Sequence, residues 1–228
     1  MLFALLLAIG ALLIAITVAL PNVGPSLTAD GTGPAGAPRQ GKTGEAIVGQ
    51  SHGKYYEAVH RQNCYAASTA GSPAAIGNTI GTTAAFVIWN PLGSGKRLVI
   101  MKTTLGYNSG TLGAGTIFYC LNTSNSGTAP TGGTAITPTN VDAGSANNAV
   151  AKAGFNQTLV AAPTAVKALV STFPELATTA NAMQQIEDDN DGEFVIEPGN
   201  GISLQYVGTA GTSPKFEMCM QWEEVAII

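Results

Sequence analysis

The stretch KFEMCMQWEEV, Lys215–Val225, decides the fold. Phe216, Met218, Met220 and Trp222 fall on one side of a two-residue repeat; Lys215, Glu217, Cys219, Gln221 and Glu223 fall on the other. Side chains of an extended chain alternate between faces, so this pattern marks a half-buried antiparallel strand. Similar signals recur toward the N terminus. TAAFVIWN (Thr83–Asn90) and KRLVIMKTTL (Lys96–Leu105) flank PLGSG and read as a hairpin with a Pro/Gly loop. GTIFYCLN (Gly115–Asn122) is another apolar run bounded by turn formers. EFVIE (Glu193–Glu197), PGN and GISLQYV (Gly201–Val207) read as a second hairpin, whose second arm would pair with the C-terminal strand.

Two segments depart from strand character. PELATTANAMQQIE (Pro174–Glu187) predicts a short helix with Pro at its first position, and Thr123–Gly144, rich in Gly, Thr, Ser, Asn and Pro, predicts a long loop. Together these elements predict an all-β fold, an antiparallel β-sandwich with the jelly roll as one form of it, carrying one short helix.

Composition agrees. Of 228 residues, 45% are apolar and 11% charged, which excludes a disordered chain; 28 Gly and 12 Pro disfavour a helical bundle. The net charge of −4 gives no basic surface for nucleic acid, so no specific nucleic-acid partner is expected.

Leu2–Leu20 is one apolar run, and the first charge is Asp30. As a helix it would span roughly 28 Å, close to the thickness of a bilayer core. Three readings stand: a cleaved signal peptide, which would want a basic residue before the run; an uncleaved anchor in contact with a membrane; and a helix packed inside an assembly. Pro21–Thr43 follows as a Pro/Gly-rich linker. The chain thus divides into a hydrophobic segment (1–20), a linker (21–43) and a β-domain (44–228), whose about 185 residues suffice for one core.

Charge is unevenly placed. Seven basic residues lie between Arg39 and Lys102 against Glu45 and Glu57, and nine acidic residues follow from Glu187 against Lys215 alone. The acidic run is either one solvated face, or half of a contact in which the basic face of one copy meets the acidic face of the next and closes a ring or trimer.

Local motifs give little chemistry. Gly49-Gln50-Ser51-His52-Gly53 fits G-x-S-x-G, but such a serine needs a histidine later in the chain, and only His52 and His60 exist. PLGSGKR lacks the first glycine and the closing Ser or Thr of a phosphate loop. No catalytic or cofactor-binding residue is therefore assigned, and no cofactor is expected. In EDDNDGE, Glu187, Asp189 and Asp191 alternate before Gly192, loosely as in a calcium loop. The first ligand there should be Asp, and Pro198 stands where the bidentate Glu belongs, so a solvated loop competes with a calcium site of another kind. Cys64, Cys120 and Cys219 form no C-x-x-C pair and read as buried apolar residues. Asn122-Thr123-Ser124 and Asn156-Gln157-Thr158 are formal glycosylation sequons, common by chance in such a chain. Trp89 and Trp222 read as core.

RQGKTGEAIVGQSHGKYYEAVHRQNCYAAS (Arg39–Ser68), FVIWNPLGSGKRLVI (Phe86–Ile100) and GTSPKFEMCMQWEEV (Gly211–Val225) resemble a family of bacteriophage virion structural proteins. The resemblance covers about residues 39 to 228 as short phrases in the same order; the leader departs from it. It implies a virion component (capsid, decoration or spike) whose partners are copies of itself and other virion proteins. The second class is a pilus-like surface filament subunit in which a retained apolar N-terminal helix forms the filament core. An enzyme or a carbohydrate-binding module would need a pocket with convergent polar groups, which no motif supplies.

Overall fold

A computed structural model describes residues 39–40, 46–47, 53–69, 73–111, 113–123, 127–172, 185–209 and 212–227. The apolar run Leu2–Leu20 and most of the linker lie outside these residues; among those described, no helix is long and apolar enough to cross a membrane. The chain divides into two units between Gly53 and Lys54. In the first, β1 (Arg39–Gln40) pairs antiparallel with β2 (Ala46–Ile47), so the last part of the predicted linker carries a short strand.

The second unit contains helix α1 (Tyr56–His60), then β3 (Cys64–Ser68), β4 (Ala74–Ala75), β5 (Thr83–Trp89), β6 (Lys96–Thr111), β7 (Gly115–Asn122), β8 (Thr134–Ile136) and β9 (Thr139–Asn140). It continues with β10 (Lys152–Thr158), β11 (Thr164–Thr172), β12 (Gln185–Asp189), β13 (Val195–Ile196), β14 (Gly201–Gly208) and β15 (Thr212–Ala226). Sheet I has the order β11-β7-β14-β5-β10-β8. Sheet II has the order β12-β6-β15-β3-β9, with β13 also on β6 and β4 on β15. All pairings are antiparallel. Phe86, Ile88, Ile117, Tyr119, Ile202 and Leu204 from sheet I join Tyr65, Leu98, Ile100, Leu105, Met218 and Trp222 from sheet II in one buried cluster. The architecture is an antiparallel two-sheet sandwich.

The C-terminal strand behaves as its alternation predicts. Phe216, Met218, Met220 and Trp222 are buried, while Lys215 is exposed and Glu217, Cys219, Gln221 and Glu223 are half-buried. Its partner β6 is bulged: Gln221 faces Lys102, but Trp222 faces Ile100. The extra residue, Met101, switches the parity of β6, so Leu98 and Ile100 point inward before it and Thr103 and Leu105 after it.

Three sequence expectations are corrected. β5 and β6 are strands as predicted, but they form no hairpin: β5 belongs to sheet I and β6 to sheet II. The same holds for β13 and β14, and β14 does not pair with β15. Both Pro/Gly segments are corners that carry the chain from one sheet to the other. They fold that way because β5 is buried on both faces and already has β14 and β10 as neighbours. Second, Gln185–Glu187, the end of the predicted helix, is strand, paired with Gly106, Leu105 and Thr104; the rest of that segment lies outside the described residues. Ile186 packs against the core there, so tertiary pairing overrides local helix propensity. Third, Thr123–Gly144 contains β8, on the edge of sheet I, and β9, on the edge of sheet II.

The corners meet at Asn90, which is fully buried. Its amide nitrogen donates to Lys96 O (2.8 Å) and Ile196 O (2.9 Å), one carbonyl from each corner. Its backbone N–H donates to Asn200 O (2.9 Å), and its carbonyl accepts from Gly199 N–H (2.8 Å). Gly199 has φ +81°, and a Cβ there would meet Leu92 Cδ1 at 3.3 Å. Gly199→Ala should therefore lower stability by about 1–2 kcal/mol, read as a drop in the urea midpoint at unchanged slope. An unchanged midpoint would show that the corner adapts.

Candidate functional site

The densest polar cluster surrounds the acidic run, on the side of the sandwich where β11 edges sheet I and β12 edges sheet II. The bulge of β6 positions the turn that follows β12: Asp191 N–H donates to Met101 O (3.2 Å) and Gly192 N–H to Ile100 O (2.9 Å). Asp191 at φ 51° and Gly192 at φ 81° make that turn.

Alternation along β12 sends its carboxylates two ways. Glu187 and Asp189 are exposed. Lys102 Nζ donates to Glu187 Oε1 at 2.7 Å, and Lys54 Nζ donates to Asp189 Oδ2 at 2.8 Å while also pairing with Asp191. The Tyr55 hydroxyl lies within reach of Asp189, Asp191 Oδ1 (2.9 Å) and Met101 O (3.2 Å), one of which takes its single proton. The Lys54 hydrogen bond holds the Asp189 carboxyl below its ordinary range, and Asp189 in turn raises Lys54. Lys102 is raised by Glu187.

Asp188 points the other way and is half-buried. Its Oδ2 accepts from the Tyr119 hydroxyl (2.9 Å), Asn190 Nδ2 (3.0 Å) and Lys167 Nζ (3.1 Å). Lys167 Nζ also donates to Glu193 Oε2 (2.7 Å) and sits 5.7 Å from the Tyr119 ring centroid and 6.0 Å from that of Phe194. The buried Thr103 hydroxyl fixes the Asn190 amide by donating to its Oδ1 (2.9 Å). Burial raises Tyr119 well above the ordinary phenol, so it remains a proton donor; Glu193, then Asp188, raise Lys167.

The three residues read as a calcium candidate, Glu187, Asp189 and Asp191, thus meet lysine ammonium groups rather than a shared vacant centre. Among the described residues no group of three or more His, Cys, Asp or Glu side chains is arranged to hold a metal ion. The chemistry of this region is ion pairing and charge-assisted hydrogen bonding.

The same contacts correct the charge reading. Lys54, Arg97 and Lys102 belong to the basic stretch, yet they pair within the chain with Asp189 and Asp191, Glu197 (2.7 Å) and Glu187. β12 and β13 lie against β6, so these three basic residues neighbour the acidic stretch within one copy. Nor is the acidic stretch all surface. Glu224 is only 2% exposed; its carboxylate accepts from Val150 N–H and Ala151 N–H, each at 3.0 Å, and from Trp222 Nε1 at 3.4 Å. Lys167, Tyr119, Tyr55 and Lys54 were not legible as partners of the acidic run, because Lys54 and Asp189 are 135 residues apart and no local spacing encodes that contact.

Ser51 and His52 lie outside the described residues, while His60 stacks on Tyr56 in α1 at 5.6 Å. Asn122 is buried in β7, closed to a glycosylating enzyme. All three cysteines are free; Cys64 and Cys120 are buried and Cys219 half-buried. Burial pushes the Cys64 thiol from 9.0 up to about 12 and Cys120 up to about 11. The thiols should therefore resist Ellman's reagent in the folded protein and react on unfolding; fast labelling of Cys64 and Cys120 in native buffer would contradict the packing. These groups have folded values above their unfolded ones. Their stabilisation is complete below about pH 9 and is lost as the pH rises through about 11–12, so the urea midpoint should fall on the alkaline side.

No protein-family model, curated protein or solved structure matches the chain.

Proposed function

We propose that the protein is a structural subunit of a viral particle, a capsid, decoration or spike component, that acts by assembling with copies of itself and with other virion proteins. The observation that carries this reading is where its family-like phrases fall. Phe86–Ile100 covers most of β5, the Asn90 corner and the start of β6, and residues 212–225 of the last phrase lie in β15, the centre of sheet II. Two of the three phrases that resemble virion proteins are thus scaffold, and the third, Arg39–Ser68, supplies Lys54 and Tyr55 to a polar cluster that is taken up by the chain's own ion pairs.

The repeated passage of the chain between sheets supports a jelly-roll-type reading, an architecture that viral capsid subunits use. Leu92 of the β5–β6 corner, Val195 of β13, and Val225 and Ile227 at the end of β15 are exposed at the same end of the sandwich, beside the Arg97–Glu197 pair, and such apolar side chains suit contact between subunits. Contact through this end replaces the acid-to-base docking that the charge distribution first suggested. Leu2–Leu20 then offers a membrane contact or a further packing segment inside the particle.

Negative-stain electron microscopy of the full chain in mild detergent tests the reading. Closed shells, rings or spikes of uniform size are expected. Fibres with a helical repeat would favour the pilus-like alternative, and single copies at high concentration would overturn self-assembly. Ser51 has no nucleophilic role in this reading, so a fluorophosphonate probe should leave the chain unlabelled.

A further inference from the structure

We propose that Lys167 and Asp188 are a site of covalent self-modification, joining in an amide bond that ties sheet I to sheet II. The proposal rests on the fold alone and stands or falls independently of the virion reading. Five side chains converge in the arrangement an acyl transfer needs. The nucleophile, Lys167 Nζ, is 3.1 Å from Asp188 Oδ2. The electrophile is the Asp188 carboxyl, whose Oδ2 is held by two further donors, the Tyr119 hydroxyl at 2.9 Å and Asn190 Nδ2 at 3.0 Å. Donors fixed on one carboxyl oxygen stabilise the charge that gathers there when the carbon becomes tetrahedral. The proton carrier is Glu193, whose Oε2 is 2.7 Å from Nζ. The Tyr119 and Phe194 rings lie beside the amine, and the Lys167 and Asp188 side chains are 33% and 26% exposed.

The step balances without any co-reactant. Glu193 takes one proton from the ammonium and passes it to Asp188 Oδ1, and the freed amine attacks Cγ. The C–N bond forms while Oδ2 carries the negative charge against Tyr119 and Asn190; Glu193 then takes a second proton from the nitrogen and gives it to the Oδ1 hydroxyl, which leaves as water as Oδ2 re-forms the carbonyl. Nitrogen keeps one hydrogen, and nothing is oxidised or reduced. Proximity supplies the driving advantage, since the folded sandwich holds amine and carboxyl at an effective concentration free reactants never reach. Because the amine must first give up a proton, the bond accumulates slowly after folding. Lys167 lies on the edge strand β11 and Asp188 on the edge strand β12, so the amide would seal the side of the sandwich where both sheets end.

Intact-mass spectrometry of the purified full chain, followed over incubation at neutral pH, tests this. The expected result is a mass lower than the sequence mass by one water. A branched peptide should link the Lys167 and Asp188 fragments, with trypsin no longer cutting after Lys167. Lys167→Arg should restore the full mass and normal digestion, and Glu193→Gln should slow the loss of water at least tenfold. An unshifted mass in protein with native β circular dichroism overturns the proposal, even if a variant fails to fold. So does a water loss that fragmentation places on ring closure at Asp191-Gly192.

Discussion

Asn90→Asp should lower stability by about 3–5 kcal/mol, because it keeps the shape of the side chain and reverses its chemistry. Two carbonyls, Lys96 O and Ile196 O, now accept from the Asn90 amide at 2.8 and 2.9 Å. A carboxylate at that fully buried position would face both with no proton to give, and it would be an unpaired charge. At about 2–4 °C per kcal/mol for a domain of this size, the melting temperature should fall by roughly 6–20 °C. The sign of the pH dependence follows from burial, which raises the folded pKa of the new Asp above its unfolded value. The deficit should be smallest below about pH 4 and grow toward neutrality. Asn90→Leu removes the donors without adding charge and should cost less at neutral pH. Equal melting temperatures for wild type and Asn90→Asp would show that the two corners are held by something other than this residue.

Glu224→Ala should be of similar size, about 3–5 kcal/mol, for the opposite reason. Here the fold buries a carboxyl group with Val150 N–H, Ala151 N–H and the Trp222 indole N–H as its donors. Removing the carboxylate leaves three donors without an acceptor beneath the segment that leads into β10, and it opens space beside Trp222. Glu224→Gln keeps the volume and one acceptor oxygen, so its loss should be about half as large. Hydrogen exchange should show the Val150 and Ala151 amides losing protection in Glu224→Ala even where the rest of the sandwich stays protected. Unchanged exchange at those amides would mean the carboxylate does not hold the segment. By contrast, Arg97→Gln breaks an exposed pair with Glu197 and should change stability by no more than ~1 kcal/mol, less at high salt.

Positions whose environment is set by their immediate neighbours were legible in the sequence. The alternation Phe216, Met218, Met220, Trp222 identified the inner face of β15; TAAFVIWN, KRLVIMKTTL and GTIFYCLN identified the strands of the two sheets; Trp89 and Trp222 were recognisable as core. Period, β-branching and turn residues are local properties, and they determine that a segment is extended and which face is apolar. They do not say which other strand will lie beside it. PLGSG and PGN carry the residues of hairpin turns, yet each spans two sheets, because a Pro/Gly turn sets a change of direction while burial on both faces of β5 sets its neighbours. Likewise Gln185–Glu187 ends a segment of helical composition and becomes strand only because β6 offers it a free edge. Charge shows the same division. The sequence alone establishes an acidic stretch from Glu187 and a basic stretch ending at Lys102; only the pairing of β12 and β13 with β6 places some of those charges against each other, and only the fold takes Glu224 inside. Coulomb and hydrogen-bond energies depend on distance in space, which chain separation does not encode, so the strands were readable from the sequence and the partners of their polar side chains were decided by the tertiary structure.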